Sequence, residues 1–446
     1  MNAKKIAVIG LGYVGLPLSL MFAKKHDVIG FDLDKKKIEM LGRKKSYITD
    51  VPDDAVAKAL RFRATDDESL IKDCEFKIIC VPTPLKKNKM TFFESHLSCQ
   101  GKEYYTFLNN EKPDMSFVLA AAEIIARTLQ KGQIVIIEST VYPLGTRHDI
   151  IPILEKTGLK AGRDFGVAFS PERVDPCNEK YNTTNTPKVV GGIDAESLEK
   201  ASKLYESVLD GGVVRVSSCE VAEATKILEN TFRLVNISLI NEMALLFEKM
   251  GINTWDVIDA AKTKPFGYMP FYPGFVGGHC IAVDPFYLSY KAKEYDFYTR
   301  FIGMAGIINE HMKMHAVELA EIVLKKAGKE LNGANVSVFG LSYKKNINDA
   351  RESGAIRILE LLKQKGAKIK VYDPFVQAIK TDAGDFCSEK SIDSALTETD
   401  CAIFLVNHDE FKKIDINKLN KIVVVDCKNL FNKAGSIYIG LGKGIE

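Results

Sequence analysis

No Cys-x-x-Cys pair occurs among the nine cysteines of this 446-residue chain, which lie scattered and odd in number. That spacing argues against a disulfide framework and against structural zinc, and leads us to expect free thiols, a cytoplasmic setting and no bound metal. Net charge is scarce as well. Sixty-one basic residues against 58 acidic ones leave +3, without the concentrated basic stripe of a nucleic-acid binder. A few local cations can still hold an anionic small molecule, so the small total excludes little about a ligand. Long unbroken apolar runs are missing too. Ile6 to Ala23 carries no charge, but Gly10, Gly12, Gly15 and Pro17 punctuate it and no small-residue cleavage site follows. A strand, a tight turn and a helix start explain it better than a leader or a span, so no membrane partner is expected. Short-period repeats and low-complexity tracts are also lacking.

What is present is strand–helix alternation in a chain long enough for two or three domains. Apolar runs at Ile6–Ile9, Val28–Phe31, Lys77–Val81, Ile134–Glu138 and Gly166–Ser170 read as buried strands. Helix-period segments such as Met115–Leu129 separate them, which predicts a doubly wound parallel sheet. Helical pattern then runs over Ser217–Met250, Thr254–Thr263 and Asp296–Ala327, with a Gly-, Pro- and aromatic-rich loop over Lys264–Asp284. Alternation resumes at Asn335–Phe339, Ile356–Gln364, Lys368–Tyr372, Ala402–Val406 and Ile422–Asp426. One segment, Lys86–Pro113, is longer than such a connection needs and reads as a lid, an insertion or a mobile segment.

Gly10-Leu11-Gly12-Tyr13-Val14-Gly15 follows the first strand and opens a helix. The first glycine permits the tight turn, the second admits a pyrophosphate against the backbone, and the third lets helix pack on strand. The helix N-terminus offers that pyrophosphate unpaired N–H groups. Asp32 ends the next strand, where an acid holds the adenosine ribose hydroxyls and repels a 2′-phosphate. NAD is therefore expected rather than NADP, with FAD as the competing cofactor. Lys35, Lys36 and Lys37 are either a phosphate contact or a solvated helix start. Gly340-Leu341-Ser342 stands where a second fingerprint could be but lacks the full glycine set, which suits a nucleotide mono- or diphosphate end. The fold class expected is α/β, two Rossmann-like doubly wound parallel-sheet domains joined by a long central helical connector. The boundaries read are 1–210, 211–325 and 326–446.

Two further features carry possible chemistry. In Phe271-Tyr272-Pro273-Gly274-Phe275-Val276-Gly277-Gly278-His279-Cys280, adjacent glycines bring backbone close to a ligand beside a thiol, and Asp284 follows. Cys280 is then either a nucleophile or a buried cysteine near a Gly-rich turn. Lys226, Asn230, Arg233 and Asn241 fall on one helical stripe. That stripe either lines a site for an anion or oxyanion or is a solvated polar face.

Taken together, Gly10–Gly15, Val81-Pro82-Thr83-Pro84, Glu138-Ser139-Thr140, Ser170-Pro171-Glu172-Arg173, Lys226–Asn230 and Gly277-Gly278-His279-Cys280 resemble the UDP-glucose/GDP-mannose dehydrogenase family. The resemblance runs in order through nearly the whole chain. Lys262–Gly274 and Ser170–Pro176 are most similar to its UDP-N-acetylglucosamine 6-dehydrogenase branch. It implies oxidation of a UDP-sugar C6 hydroxymethyl to a carboxylate by two hydride transfers to NAD, through a Cys280 thiohemiacetal and thioester. Lys226 and Asn230 then stabilise the oxyanion. Asp284 activates or orients water, and Thr140 and Glu172 stand around it. Substrate contacts are implied for Glu172, Arg173, Lys226, Asn230, Arg233, Phe271, Tyr272, Gly274, Gly277 and Lys344. Cofactor contacts are implied for Gly10, Gly12, Tyr13, Val14, Gly15, Asp32, Lys37, Pro82, Thr83, Thr140 and Arg351. The resemblance also implies a homodimer or larger homo-oligomer through the connector helices, with Lys264 reaching across it. UDP-N-acetylgalactosamine, UDP-N-acetylmannosamine and UDP-glucose are competing substrates. A single-step hydroxyacid dehydrogenase and a non-catalytic NAD-binding protein are the competitors of other classes.

Overall fold

The computed structural model describes residues 3–48, 51–86, 112–174, 180–431 and 436–444. They divide into two compact units, the first formed by described residues up to 229 with 286–297, the second by 230–285 and residues from 298 onward.

The first unit is built on an eight-stranded sheet. Its strands are β1 (Lys5–Ile9), β2 (Asp27–Phe31), β3 (Phe62–Thr65), β4 (Phe76–Ile79), β5 (Ile134–Ile137), β6 (Gly166–Phe169), β7 (Lys188–Gly192) and β8 (Val213–Val216), in the order β8-β7-β6-β5-β4-β1-β2-β3. Pairing is parallel throughout except between β6 and β7. That departure from a wholly parallel sheet accords with a connection from β6 to β7 that carries no crossover helix among the described residues. Helices α1 (Gly15–Phe22), α2 (Lys35–Gly42), α3 (Ser116–Thr128) and α4 (Ala195–Glu206) pack on the sheet. Ile78, Ile79, Val135, Ile136 and Ile137 are fully buried or nearly so, because a parallel strand covered on both faces has no side open to water.

β3, β7 and β8 are absent from the strands read in the sequence. β3 carries an exposed arginine, β8 is a half-exposed edge, and Lys-Val-Val-Gly-Gly ends β7 in two glycines. Those glycines are required by close approach, since a Cβ on Gly191 would lie 2.0 Å from Ser218 O and one on Gly192 2.5 Å from Leu198 N. Most of the Lys86–Pro113 segment lies outside the described residues. Its ends, Leu85–Lys86 and Lys112–Pro113, pair antiparallel.

The second unit holds a five-stranded parallel sheet. Its strands are β9 (Asn335–Phe339), β10 (Lys368–Tyr372), β11 (Cys401–Phe404), β12 (Val423–Asp426) and β13 (Ile437–Gly440), in the order β10-β9-β11-β12-β13. One face packs Leu319, Val323, Ile358 and Leu362 from helices; on the other, Phe339 and Phe404 stack at 4.7 Å beside Phe411. Each such side chain contributes roughly 1.5–3 kcal/mol of burial.

Between the two sheets in sequence come α5 (Cys219–Met250), α6 (Thr254–Ala261), α7 (Asp284–Ala292) and α8 (Arg300–Lys326). α5, 32 residues long, begins in the first unit and continues in the second. The glycine-rich loop ends in α7, a helix the sequence reading leaves out; Asp284 is its first residue. α9 (Gly354–Gln364) follows β9, capped by Ser353 accepting from Ala355 N.

Candidate active site

In the first unit, the sheet reverses direction of build-up at β1 and β4, and a crevice at such a point takes a ligand beyond the strand ends. Gly10 adopts φ +93°, and a Cβ there would lie 2.7 Å from Cys80 O. A Cβ on Gly15 would lie 1.8 Å from Gly10 O, whereas one on Gly12 would meet nothing within 4 Å. The first and third glycines are thus demanded by turn and packing, and the second faces open space of the kind a pyrophosphate needs. Tyr13 is exposed, Val14 half-buried and Pro82 exposed. Thr83 gives its carbonyl to the Tyr287 hydroxyl at 2.9 Å.

Asp32 accepts from Leu11 N (2.9 Å) and Asp34 N (2.9 Å), which fixes its carboxylate beside the fingerprint turn. Lys37 Nζ stands 2.9 Å from Asp32 Oδ2. Lys37 is therefore neither a solvated helix start nor an unengaged phosphate ligand, although Lys35 and Lys36 are exposed. These residues fit an adenosine ribose and pyrophosphate.

Beyond β5 to β7, the same unit buries a charged cluster. Lys188 Nζ lies 2.8 Å from Glu138 Oε2 and 3.0 Å from Glu172 Oε2, and the Tyr205 hydroxyl donates to Glu138 Oε1. Glu172 Oε1 accepts from Arg173 N (2.9 Å) and Val174 N (2.8 Å). Burial raises the Glu138 carboxyl above the usual range despite Lys188. Burial presses Glu172 the same way, but Lys188 and the backbone N–H groups outweigh it and hold Glu172 below that range. Burial opposes charge on Lys188, and the two carboxylates reverse that and raise it. With both carboxylate oxygens engaged, Glu172 meets Lys226 through its backbone: Lys226 Nζ donates to Glu172 O at 2.7 Å. Arg173 is ion-paired to Glu229 (Nη2–Oε1 2.5 Å) and donates to Pro187 O. Thr140 is half-buried in the loop after β5.

On α5 the expected stripe divides. Lys226, Asn230 and Asn241 are buried, while Arg233 is exposed. The solvated-face reading therefore describes Arg233 only. In the second unit, Asn230 Nδ2 donates to Asp284 Oδ2 at 2.7 Å, and Asp284 N bonds Cys280 O at 2.8 Å. One amide, one carboxylate and the cysteine backbone thus form a short chain. Cys280 is exposed, not packed in the core.

The loop leading to Cys280 is pinned at alternate residues. Asn241 both donates to Gly274 O and accepts from Gly274 N, each at 2.9 Å. Asn309 Oδ1 accepts from Val276 N (2.8 Å), and Gly278 N donates to Arg351 O (3.1 Å). Gly277 and Gly278 are each required by close approach of the chain to itself. A Cβ on Gly277 would lie 2.7 Å from Glu352 O and one on Gly278 2.8 Å from the Tyr343 ring, so the chain itself fills that space. Phe271 meets Phe232 edge-on at 5.8 Å, and Tyr272 stacks on Trp255 at 5.6 Å. Arg351 is bidentate on Asp349 (2.9 and 2.6 Å). Lys264 is exposed with its ammonium 5.2 Å over the Phe266 ring.

Also in the second unit, a cavity of about 290 Å³ opens where β9 and β11 end, lined by Phe275, Ser342, Lys344, Gly354, Asn407 and Lys428 among others. Its floor is the N-terminus of α9, a site for a phosphate. The turn over it repeats the fingerprint geometry. Gly340 adopts φ +96°, and Leu341 N donates to Asp373 Oδ2 at 2.6 Å, as Leu11 N does to Asp32. Asp373 is sealed, however, by Ser342 N (3.0 Å) and by buried His408, Nε2–Oδ2 3.1 Å. Lys428 is missed by the sequence reading. Burial lowers its pKa, and its Nζ fills the space that a Gly274 Cβ would occupy, 2.0 Å away. A lone lysine after a buried strand offers no periodic signal; only the fold carries it to this cavity. Among the described residues no cluster of three or more His, Cys, Asp or Glu could hold a metal, and no helix is long and apolar enough to cross a membrane.

A fingerprint turn of the dinucleotide-binding kind and a second, separate crevice over a helix N-terminus are what an enzyme holding a dinucleotide cofactor and a phosphate-bearing substrate requires. Family models agree. Those of the UDP-glucose/GDP-mannose dehydrogenase family match residues 4–209 (NAD binding domain), 220–311 (central domain) and 337–433 (UDP binding domain). A Pseudomonas aeruginosa UDP-N-acetyl-D-glucosamine 6-dehydrogenase is 36% identical over 443 residues, covering 97% of this chain and 98% of that protein. A Pyrococcus horikoshii UDP-N-acetyl-D-mannosamine dehydrogenase is 32% identical, covering 99% of each. A solved structure described as the UDP-D-ManNAc dehydrogenase of Pyrococcus horikoshii superposes with a TM-score of 0.86 at 31% identity, covering 99% of each chain. The chain belongs to the UDP-glucose/GDP-mannose dehydrogenase family and is an NAD-dependent UDP-sugar dehydrogenase.

Proposed function

We propose that this enzyme oxidises C6 of a UDP-N-acetylhexosamine, UDP-N-acetylglucosamine before its epimers, to the uronate. The observation that carries the reading is Cys280: exposed, at the end of a loop pinned at 274, 276 and 278, and one turn before an Asp284 held by Asn230. The relatives named for N-acetylhexosamine substrates support the sugar class.

Bound NAD supplies the hydride acceptor, one molecule for each of two oxidations. Lys226 Nζ, buried and held on Glu172 O, donates to the C6 oxygen as charge develops there. Cys280 Sγ forms a bond to the aldehyde carbon, and the thiohemiacetal becomes a thioester when its hydride leaves. Asn230 Nδ2 serves the same oxyanion while its bond to Asp284 holds that carboxylate for the water. Water breaks the C–S bond and restores the thiolate. One alcohol, two NAD⁺ and one water give one carboxylate, two NADH and three protons. Lys344 and Lys428 hold the diphosphate over the α9 N-terminus, with Arg173, Arg233, Phe271, Tyr272, Gly274 and Gly277 completing the sugar side. Asp32 and Lys37 hold the adenosine ribose, with Thr140 and Arg351 as further cofactor contacts.

The three-part division 1–210, 211–325 and 326–446 belongs to the same proposal and is supported by family models that span 4–209, 220–311 and 337–433. Exposed Phe232, Leu239, Leu246 and Met250, at heptad-like spacing on α5, support a homodimer built along that helix; a cytoplasmic setting is proposed with it, on the scattered free cysteines. A panel of UDP-sugars with NADH counted against product tests the reading. Two NADH per sugar are expected; one NADH, or released aldehyde, refutes it. Cys280→Ser should stop turnover and retain NAD binding, so a fully active variant refutes the covalent route.

A further inference from the structure

The first unit buries a carboxylate for which the mechanism above has no use. Glu223, on α5 one turn before Lys226, is fully buried. Its Oε2 accepts from Leu144 N at 2.7 Å and its Oε1 from Thr146 N at 2.9 Å. The loop it captures runs from Thr140 to the helical turn starting at Thr146. Leu144 in that loop adopts φ +76°, a left-handed conformation that leucine resists. Gly145 N bonds Tyr142 O (2.8 Å) and His148 N bonds Leu144 O (2.9 Å), so the strained residue sits at the centre of a tight reversal. Strain of this kind persists only where the surroundings over-determine it. Here a two-armed carboxylate does so, from the helical turn that carries Lys226.

We propose that Glu223 is a positioning residue for the oxidation: by clamping the strained 140–146 loop to α5, it sets Thr140 in register with Lys226. This rests on the reaction proposed above. An ionised carboxylate is needed, because a protonated one offers a poor acceptor to one of the two N–H groups. Burial raises the Glu223 pKa to about 7. The groups facing it are Glu220 and Cys219 from its own helix and Arg147 from the captured turn, the last paired with Glu220 at 2.6 Å. Protonation as pH falls through about 7 therefore loosens the clamp, and turnover falls with it.

The test uses the full-length enzyme with UDP-N-acetylglucosamine and NAD. Glu223→Gln should lower kcat at pH 8 by about tenfold and raise the KM for NAD, which Thr140 contacts, with the KM for UDP-N-acetylglucosamine within about twofold of wild type. The kcat inflection near pH 7 should vanish in that variant. Adding Leu144→Gly, which relieves the left-handed strain, should restore kcat to within about threefold of wild type without restoring the inflection. A kcat unchanged by Glu223→Gln, an inflection that persists in it, or no rescue by Leu144→Gly overturns the assignment. Should Glu223→Gln fail to fold, the wild-type profile decides: a flat kcat between pH 6 and 8 overturns it and an inflection there supports it. Wild-type enzyme without UDP-sugar turnover overturns both this and the function, whereas an active wild type with an indifferent variant overturns this alone.

Discussion

Replacing Lys188 by methionine removes one cation from between two buried carboxylates. Glu138 and Lys188 side chains are 0% and 5% exposed and Glu172 is 19% exposed, so water does little to compensate. Breaking a buried ion pair by deleting one partner typically costs about 3–5 kcal/mol, a large share of the roughly 5–15 kcal/mol that holds a domain folded. With each displaced pKa unit worth about 1.4 kcal/mol, the loss corresponds to raising the two carboxyl groups by roughly two to four units in total.

That sets the sign of the pH dependence. In the variant both folded-state pKa values lie above their unfolded ones, so stability falls as pH rises from the unfolded value through the folded ones. Urea denaturation at pH 8 and pH 5.5 should show the variant far weaker than wild type at pH 8, with the gap narrowing at pH 5.5. Adding Glu138→Gln should recover much of the loss, because only one buried charge then remains. A loss under about 1 kcal/mol at pH 8, or a gap equal at both pH values, would refute the account of this cluster.

Gly274→Ala places a Cβ 2.0 Å from Lys428 Nζ, so that ammonium must shift from its present position. The KM for UDP-sugar should rise about tenfold with the KM for NAD unchanged, matching Lys428→Ala, and unchanged UDP-sugar kinetics count against Lys428 as a substrate contact. His315 lies 2.6 Å from Glu248 and 3.2 Å from Glu318; burial lowers its pKa, but these partners raise it to about 9. Its folded pKa exceeds the unfolded one, so the link between α5 and α8 contributes up to about 3 kcal/mol below pH 6.5 and loses it as pH rises through 9. His315→Gln should melt well below wild type at pH 6.5 and close to it at pH 9.5; a constant difference counts against the charged pair.

Much of the site was readable because local rules demand it. Gly10 and Gly15 mark the fingerprint since no other residue fits their turn and packing, and Asp32 falls at the end of the next strand. The helical stripe was readable for Lys226, Asn230 and Asn241 as buried polar groups, while Arg233 on the same stripe is exposed, since spacing on a helix fixes direction and not what covers that direction. Gly277 and Gly278 were legible in part. Close approach was correctly inferred, but the approaching group is Tyr343 and the Glu352 backbone. Asn309, Lys428 and Glu223 carried no usable signal, because each acts on a segment from 33 to 155 residues away.

The amino-acid order alone therefore determined the strand–helix alternation, the dinucleotide turn and the candidate nucleophile, all consequences of backbone sterics and side-chain chemistry within a few residues. The tertiary structure decided which polar groups meet: that Lys188 joins Glu138 to Glu172, that His408 seals Asp373 while Asp32 stays at an open turn, and that Glu223 grips a strained loop. Those pairings depend on which partners remain within hydrogen-bond reach once water is excluded, and no local pattern encodes that distance.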